Sequence, residues 1–205
     1  MRAFTTHTGL AAPLLRPNID TDLIIPLNRG ARGIELSEGQ MVFESIRYLP
    51  DGSENPEFIL NQLPYRRASI LLAGENFGTG SSRESAVTGL MDFGFSAIIA
   101  PSFGQIFYNN CFGNGLMPVV LAPNQIRQLA EQIAFNPLVA VTVDLEEMEV
   151  RHPELRPIPF SVEVRLRNKM LAGLEDIDEI LKYTEGTELF ESSDLERRPW
   201  IYDWR

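Results

Sequence analysis

At 205 residues, with 44% apolar and 22% charged side chains, the chain can bury a real core and has the composition of an ordinary globular protein. A net charge of −10, from 18 basic and 28 acidic residues, argues against nucleic acid or an anionic membrane as its main partner. A single cysteine, Cys111, excludes an internal disulfide and any cluster held by several thiolates of this chain, and two distant histidines, His7 and His152, form no zinc pattern.

The N-terminus has no basic stretch leading into an apolar core, and no apolar run approaches the roughly 20 residues of a membrane span. A cytoplasmic polypeptide without a metal site is therefore expected. Residues 1–12 mix threonine with apolar residues and suit an edge strand. Asn18 to Asp22 is a turn rich in side-chain acceptors, and Leu23-Ile24-Ile25, closed by Pro26, reads as a short buried strand. Asp20 and Asp22 could bind a metal, or cap the local backbone. From Leu27 to Gly39 the chain is loop-like, and Arg29 and Arg32 are either a lid facing an anion or solvated charge. Met41 to Leu49 forms a short helix or strand, Pro50-Asp51-Gly52-Ser53 a turn, and Phe58, Ile59, Leu60 and Tyr65 a packing anchor.

Ile70-Leu71-Leu72 reads as a buried strand leading into Ala73-Gly-Glu-Asn-Phe-Gly-Thr-Gly-Ser-Ser-Arg-Glu84, and a helix is expected from Glu84 to Phe93. Glycines 74, 78 and 80 let the backbone turn tightly and approach a ligand. Ser81 and Glu84 have the spacing of a capping box. Such a loop offers free N–H groups, two hydroxyls and the guanidinium of Arg83 at the positive end of a helix, which suits a carboxylate or phosphate. It could equally be a glycine-rich turn before a well-capped helix. A dinucleotide site fits poorly, because the third glycine of that fingerprint is missing and the next strand runs into Pro101-Ser102 with no acid for a ribose.

Downstream, Ser96 to Ala100 is a strand. A helix from Ser102 presents Phe103, Ile106, Phe107 and the Cys111-Phe112 pair to the core, and Gly113-Asn114-Gly115 stops it. Met117 to Leu121 is another strand. The alternation from 70 to 121 predicts parallel pairing through crossover helices. Gln125 to Ala134 is helical. Val139–Leu145 and Ser161–Leu166 suggest a small additional β layer, and Asp176–Tyr183 a last helix. Two regions result: a domain over 1–185, and a charged, aromatic tail over 186–205 that is either disordered or docks on a partner through aromatics such as Trp200 and Trp204.

Several ordered motifs now carry a likeness. Asn76-Phe-Gly-Thr-Gly-Ser-Ser-Arg-Glu84, with Asp20-Thr-Asp-Leu-Ile-Ile-Pro26 before it and Pro101-Ser-Phe, Ile106-Phe-Tyr-Asn-Asn and Gly113-Asn-Gly115 after it, resembles the small-subunit family of 3-isopropylmalate dehydratases, in the aconitase superfamily. The likeness spans about residues 4–185. It implies an α/β fold, a swivelling β/β/α domain with a parallel or mixed sheet, that supplies half of a hydro-lyase active site. The other half, with a [4Fe–4S] cluster, would lie on a large subunit, in a heterodimer or heterotetramer. The substrate implied is a small malate-type dicarboxylate, dehydrated and rehydrated at the neighbouring carbon.

By the motif match Ser81 is the catalytic base, Ser82 and Arg83 bind a substrate carboxylate, Gly80 and Thr79 line the same site, and Arg29 approaches it from the upstream loop. The chain departs from the family pattern at Thr79, usually cysteine, and at Ser85, usually histidine or sometimes glutamine. It departs again at Leu27 and Arg29-Gly30, where a lysine and then an aromatic–leucine pair are usual. A related dehydratase for another substituted malate, or a non-catalytic anion-binding paralogue, stays open as an alternative. The intact Ser81-Ser82-Arg83 favours the enzyme.

Overall fold

In a computed structural model, which describes residues 1–26, 37–80, 83–174, 181 and 183–202, the chain divides into two compact units, Met1–Gly173 and Leu174–Arg205. The larger unit is built on two four-stranded sheets. One is wholly parallel, in the order β2 (Ala11–Leu14), β3 (Ile70–Ala73), β4 (Ala97–Ala100), β5 (Met117–Val120). The other is wholly antiparallel, in the order β1 (Thr6–Gly9), β6 (Val141–Asp144), β7 (Glu149–Arg151), β8 (Ile158–Pro159). The expected parallel pairing and additional β layer are both present. The edge strand expected over 1–12 is two strands, one on the edge of each sheet.

Side-chain alternation along the parallel strands separates two cores. Leu71, Ala73, Ile98 and Ala100 face one side, where helices α4 (Ser85–Phe93) and α5 (Gln105–Asn114) pack with apolar residues of Ile19–Ile25 and Met41–Ala68. Ile70, Leu72, Ala97, Ile99, Met117 and Val119 face the other, toward α6 (Pro123–Phe135) and the antiparallel sheet. Strands covered on both faces must be apolar throughout, and all four residues of β3 and of β4 are buried.

Two expected strands are helical. Leu23-Ile24-Ile25 lies in and just after α1 (Thr21–Ile24), because the Asp20 carboxylate accepts from the Leu23 amide at 2.7 Å and nucleates a helical turn. The two isoleucines are still buried, so burial was legible and conformation was not. Ser161–Leu166 alternates like a strand, but α7 (Val164–Ala172) starts inside it, its later residues Arg167, Lys169, Met170, Leu171 and Ala172 being good helix formers, and ends at Gly173 in the left-handed region. Arg167 then ties α7 to the end of β6, its guanidinium donating to the carbonyls of Leu145 (3.0 Å) and Glu146 (2.8 Å).

Short helices Glu38–Met41 and Glu44–Arg47 (α2 and α3) precede the turn at Asp51–Ser53. In α5, Phe107, Cys111 and Phe112 are buried as expected, whereas Ile106 points outward, half exposed. The helix expected over 176–183 falls mostly outside the described residues. In the smaller unit a helix covers Thr184–Arg197, a region given no element by the sequence reading. The buried Asp194 carboxylate accepts from Arg198 Nε at 2.6 Å and from the Tyr202 hydroxyl at 3.2 Å, closing the turn that carries Trp200. Trp204 lies outside the described residues. No described helix is long and apolar enough to cross a membrane.

Candidate active site

Three chain segments leave the parallel sheet at the same edge, after β2, β3 and β4, and run side by side. The middle one is the glycine-rich loop. On one flank Asn18 N donates to Glu75 O (2.9 Å), Gly78 N to Ile19 O (2.7 Å) and Thr21 N to Thr79 O (2.9 Å). On the other, Phe77 N donates to Ser102 O (3.1 Å), Gly104 N to Phe77 O (2.8 Å) and Asn76 N to Ser102 Oγ (2.8 Å). The carboxyl ends of parallel strands are where open α/β sheets bind ligands, since the loops there diverge and leave backbone groups available.

The loop packs inward through both Phe77 and Gly78. Phe77 is fully buried, edge-on to Phe103 at 6.4 Å and to Phe107 at 5.5 Å. Gly78, at φ +71°, presses on the Phe107 ring so closely that a Cβ would lie 2.2 Å from it. Gly80, at φ +105°, is exposed and lies against the upstream turn, where a Cβ would meet Thr21 Oγ1 at 3.5 Å and Asp20 Cβ at 3.6 Å. Asn76 takes a left-handed conformation (φ 56°) and donates its side-chain amide to Asn18 Oδ1 at 2.9 Å.

Arg83 follows directly and is mostly covered. Its Nη1 donates to the Ile25 carbonyl at 3.2 Å and its Nη2 pairs with the Asp22 carboxylate. The upstream turn therefore serves the site through both its acids: Asp20 caps a helical turn and Asp22 is a counter-ion to Arg83. Neither belongs to a group of three His, Cys, Asp or Glu side chains that could hold a metal, and no such group occurs among the described residues. Cys111 is fully buried, and burial raises its thiol well above the usual range, so it is unsuited to ligate a cluster.

The expected capping box pairs Glu84 with Ser81, which lies outside the described residues. Helix α4 starts at Ser85 with Glu84 itself at the N-cap, and no side-chain cap bond is made there. The Glu84 carboxylate turns away and accepts from Asn114 Nδ2 at 2.7 Å. Of the candidate residues, Thr79, Gly80 and Arg83 are gathered at the sheet edge; Ser81, Ser82 and Arg29 lie outside the described residues. Both flanks of Arg29's segment are held near α4. Ile25 packs on Gly89, and Gly39 N donates to the Asp92 carboxylate at 2.7 Å. The replacement residues at 79 and 85 contribute backbone here: Thr79 O accepts from Thr21, and Ser85 begins α4.

Ser102 and Asn114 were missed as site-supporting residues by sequence reasoning. Ser102 could have been found from the rule that residues just after neighbouring parallel strands converge; for Asn114, at a helix C-terminus, no sequence signal distinguishes a site role from a stop. A separate cleft of about 300 Å³ opens beside Gly74, with Leu15, Pro101 and Arg127 in its wall. It lies on the α6 side and includes none of Thr79, Gly80 or Arg83.

The Aconitase C-terminal domain family matches residues 1–124. The chain is 42% identical over 200 residues to the "3-isopropylmalate dehydratase small subunit" of Agrobacterium fabrum, covering 98% of this chain and all of that one. It is 47% identical over 205 residues to the protein of the same name from Cupriavidus necator, covering 98% and 99%. A crystal structure of 3-isopropylmalate dehydratase from Methanocaldococcus jannaschii has the same fold, with a TM-score of 0.58 at 24% identity over 92% of this chain and 99% of that one.

Proposed function

The chain belongs to the aconitase C-terminal domain family, and on that premise we propose which of its residues make up its half of a hydro-lyase active site. It acts as the small subunit of a 3-isopropylmalate dehydratase, isomerising 2-isopropylmalate to 3-isopropylmalate in leucine biosynthesis. The complementary half is a large subunit that carries the [4Fe–4S] cluster, in a heterodimer or heterotetramer working in the cytoplasm. A chain with one deeply buried cysteine leaves the cluster's thiolates to that partner.

Isomerisation removes a hydroxyl and a proton from neighbouring carbons and returns them with their positions exchanged. In this chain Ser81 takes the proton from the carbon beside a carboxylate, while Ser82 and Arg83 hold that carboxylate. Thr79 and Gly80 line the same edge, and Arg29 approaches the substrate from the segment between Pro26 and Ser37. A serine is a poor base unless its alkoxide is stabilised. The start of α4, amides of the glycine loop and the Arg83 guanidinium are the groups suited to doing so in a site closed to water.

The observation carrying this reading is the fixed position of Arg83, held by the Ile25 carbonyl and Asp22 directly before α4 and beside Thr79 and Gly80. The test uses the chain reconstituted with its large subunit. Ser81→Ala is expected to lower kcat on 2-isopropylmalate by about a hundredfold or more, with KM nearly unchanged and the melting temperature close to wild type. Arg83→Lys is expected to raise KM by about tenfold, because lysine cannot make the two-pronged contact to a carboxylate. Near-normal turnover by Ser81→Ala would reject Ser81 as the base.

A further inference from the structure

The cleft beside Gly74 has features that the hydro-lyase chemistry does not use. Its volume is about 300 Å³, the share of roughly ten waters in the liquid and the small end of the range for ligand clefts. It opens where the chain leaves β2 and β3 side by side. A Cβ on Gly74 would collide with the Arg16 carbonyl and the Pro17 nitrogen, so glycine is what lets these two exits close up. Leu15, Pro17, Pro101 and Ile126 give the cleft an apolar wall.

Two charged residues share that wall, Glu75 just after β3 and Arg127 on α6, and both are exposed. The Glu75 backbone is fixed, since its carbonyl accepts from the Asn18 amide at 2.9 Å. Among the described residues neither the Glu75 carboxylate nor the Arg127 guanidinium has an ion-pair or hydrogen-bond partner, and they do not pair with each other. Opposite charges on one small cleft that leave each other unneutralised are both available to a ligand.

We propose that this cleft binds an α-amino acid with an apolar side chain. The ligand's carboxylate meets Arg127, its ammonium meets Glu75, and its side chain lies on the wall of Leu15, Pro17, Pro101 and Ile126. A carboxylic acid without an amine would be repelled by Glu75, and an amine without an acid by Arg127. An uncharged apolar molecule would cover both charges and pair neither. A zwitterion answers both. The cleft includes none of Thr79, Gly80 or Arg83, so the proposal does not depend on the role of Ser81.

Ligand-observed NMR titration of the full chain, alone and reconstituted with its large subunit, tests this with L-leucine as the probe. Saturable binding with a Kd of about 1 mM or tighter is expected in both, modest because exposed charges contribute little. Leucinamide, which lacks the carboxylate, and N-acetyl-leucine, which lacks the ammonium, should each bind about tenfold more weakly, losing an attraction and keeping a repulsion. Arg127→Ala should weaken leucine by about tenfold and bind leucine and leucinamide alike. Glu75→Gln should bind leucine and N-acetyl-leucine alike, because each variant removes the group that told its two probes apart. Melting temperatures close to wild type are expected for both surface variants. No saturation by about 10 mM leucine, equal binding of the three probes by the wild type, or an unchanged Kd in Arg127→Ala overturns the proposal. Binding by the chain alone that vanishes in the complex also overturns it, and makes the cleft a contact for the large subunit.

Discussion

The two sheets of the larger unit are similar in size and differ in what their ends do. The antiparallel sheet makes most of its side-chain polar bonds between its own strands, the exception being His7 Nε2, 2.7 Å from Ser69 Oγ. Thr8 and Thr142 pair across strands at 2.8 Å, and Arg151 bridges Asp144 and Glu149 at 2.9 Å each. The parallel sheet is apolar along its length and concentrates its polar groups and its left-handed residues, Asn76, Gly78 and Gly80, at one edge. Strands buried on both faces leave polar chemistry no position except the ends, which is why the site is a loop and not a strand. The comparison implies that changes at the parallel edge alter activity, whereas changes in the antiparallel sheet alter stability alone.

The largest effect is expected at Gly78. Gly78→Ala places a methyl 2.2 Å from the Phe107 ring in a backbone conformation alanine avoids. It should cost about 3 kcal/mol in denaturant unfolding. Activity of the surviving folded complex should fall as well, because the loop must move to relieve the clash. Full activity in the folded fraction would break the link between loop shape and function.

A smaller effect is expected at Arg151. Asp144 is buried, and its desolvation works against ionisation, but amides of Glu147 and Glu146 and the guanidinium of Arg151 outweigh this and hold its carboxyl below the usual range. Arg151→Ala removes only the charged partner of a half-exposed pair, and should lower the melting temperature by about 2 °C at neutral pH. kcat and KM should be unchanged. A kinetic defect as large as that of Arg83→Lys would erase the distinction between the sheets.

The smallest effect is in the pH dependence of stability. Burial lowers the pKa of His152 in the fold, against a weaker opposing pull from Glu154, and burial with the charge of Arg2 lowers that of His7. A depressed histidine favours the neutral form in the native state, so the unfolded chain binds more protons. The associated stability is present above the unfolded value of 6.5 and is lost as pH falls from there toward the folded value. Thermal melts between pH 7.5 and about 5 should therefore show a decline, and His152→Gln should flatten it. An unaltered slope would mean that the buried imidazole is not part of the acid sensitivity.

Much of this was legible in the residues. Apolar runs at 70–72, 96–100 and 117–121 separated by helical patterns imply a parallel sheet, since strands covered on both faces must read that way. Glycines 74, 78 and 80 implied positive φ, which Gly78 and Gly80 adopt and Gly74 does not, and Ser81-Ser82-Arg83 within its ordered neighbours pointed to the family. Local chemistry determines such features, so they survive in one dimension. Tertiary structure decided the rest. Leu23 became helical because Asp20 could reach its amide, and Val164–Leu166 joined a helix whose Arg167 found the carbonyls at the end of β6. Asp22 became the partner of Arg83 across 61 positions, and Glu84 that of Asn114 across 30. Pairings at such distances depend on how whole elements pack, and no local pattern of apolar and polar residues encodes them.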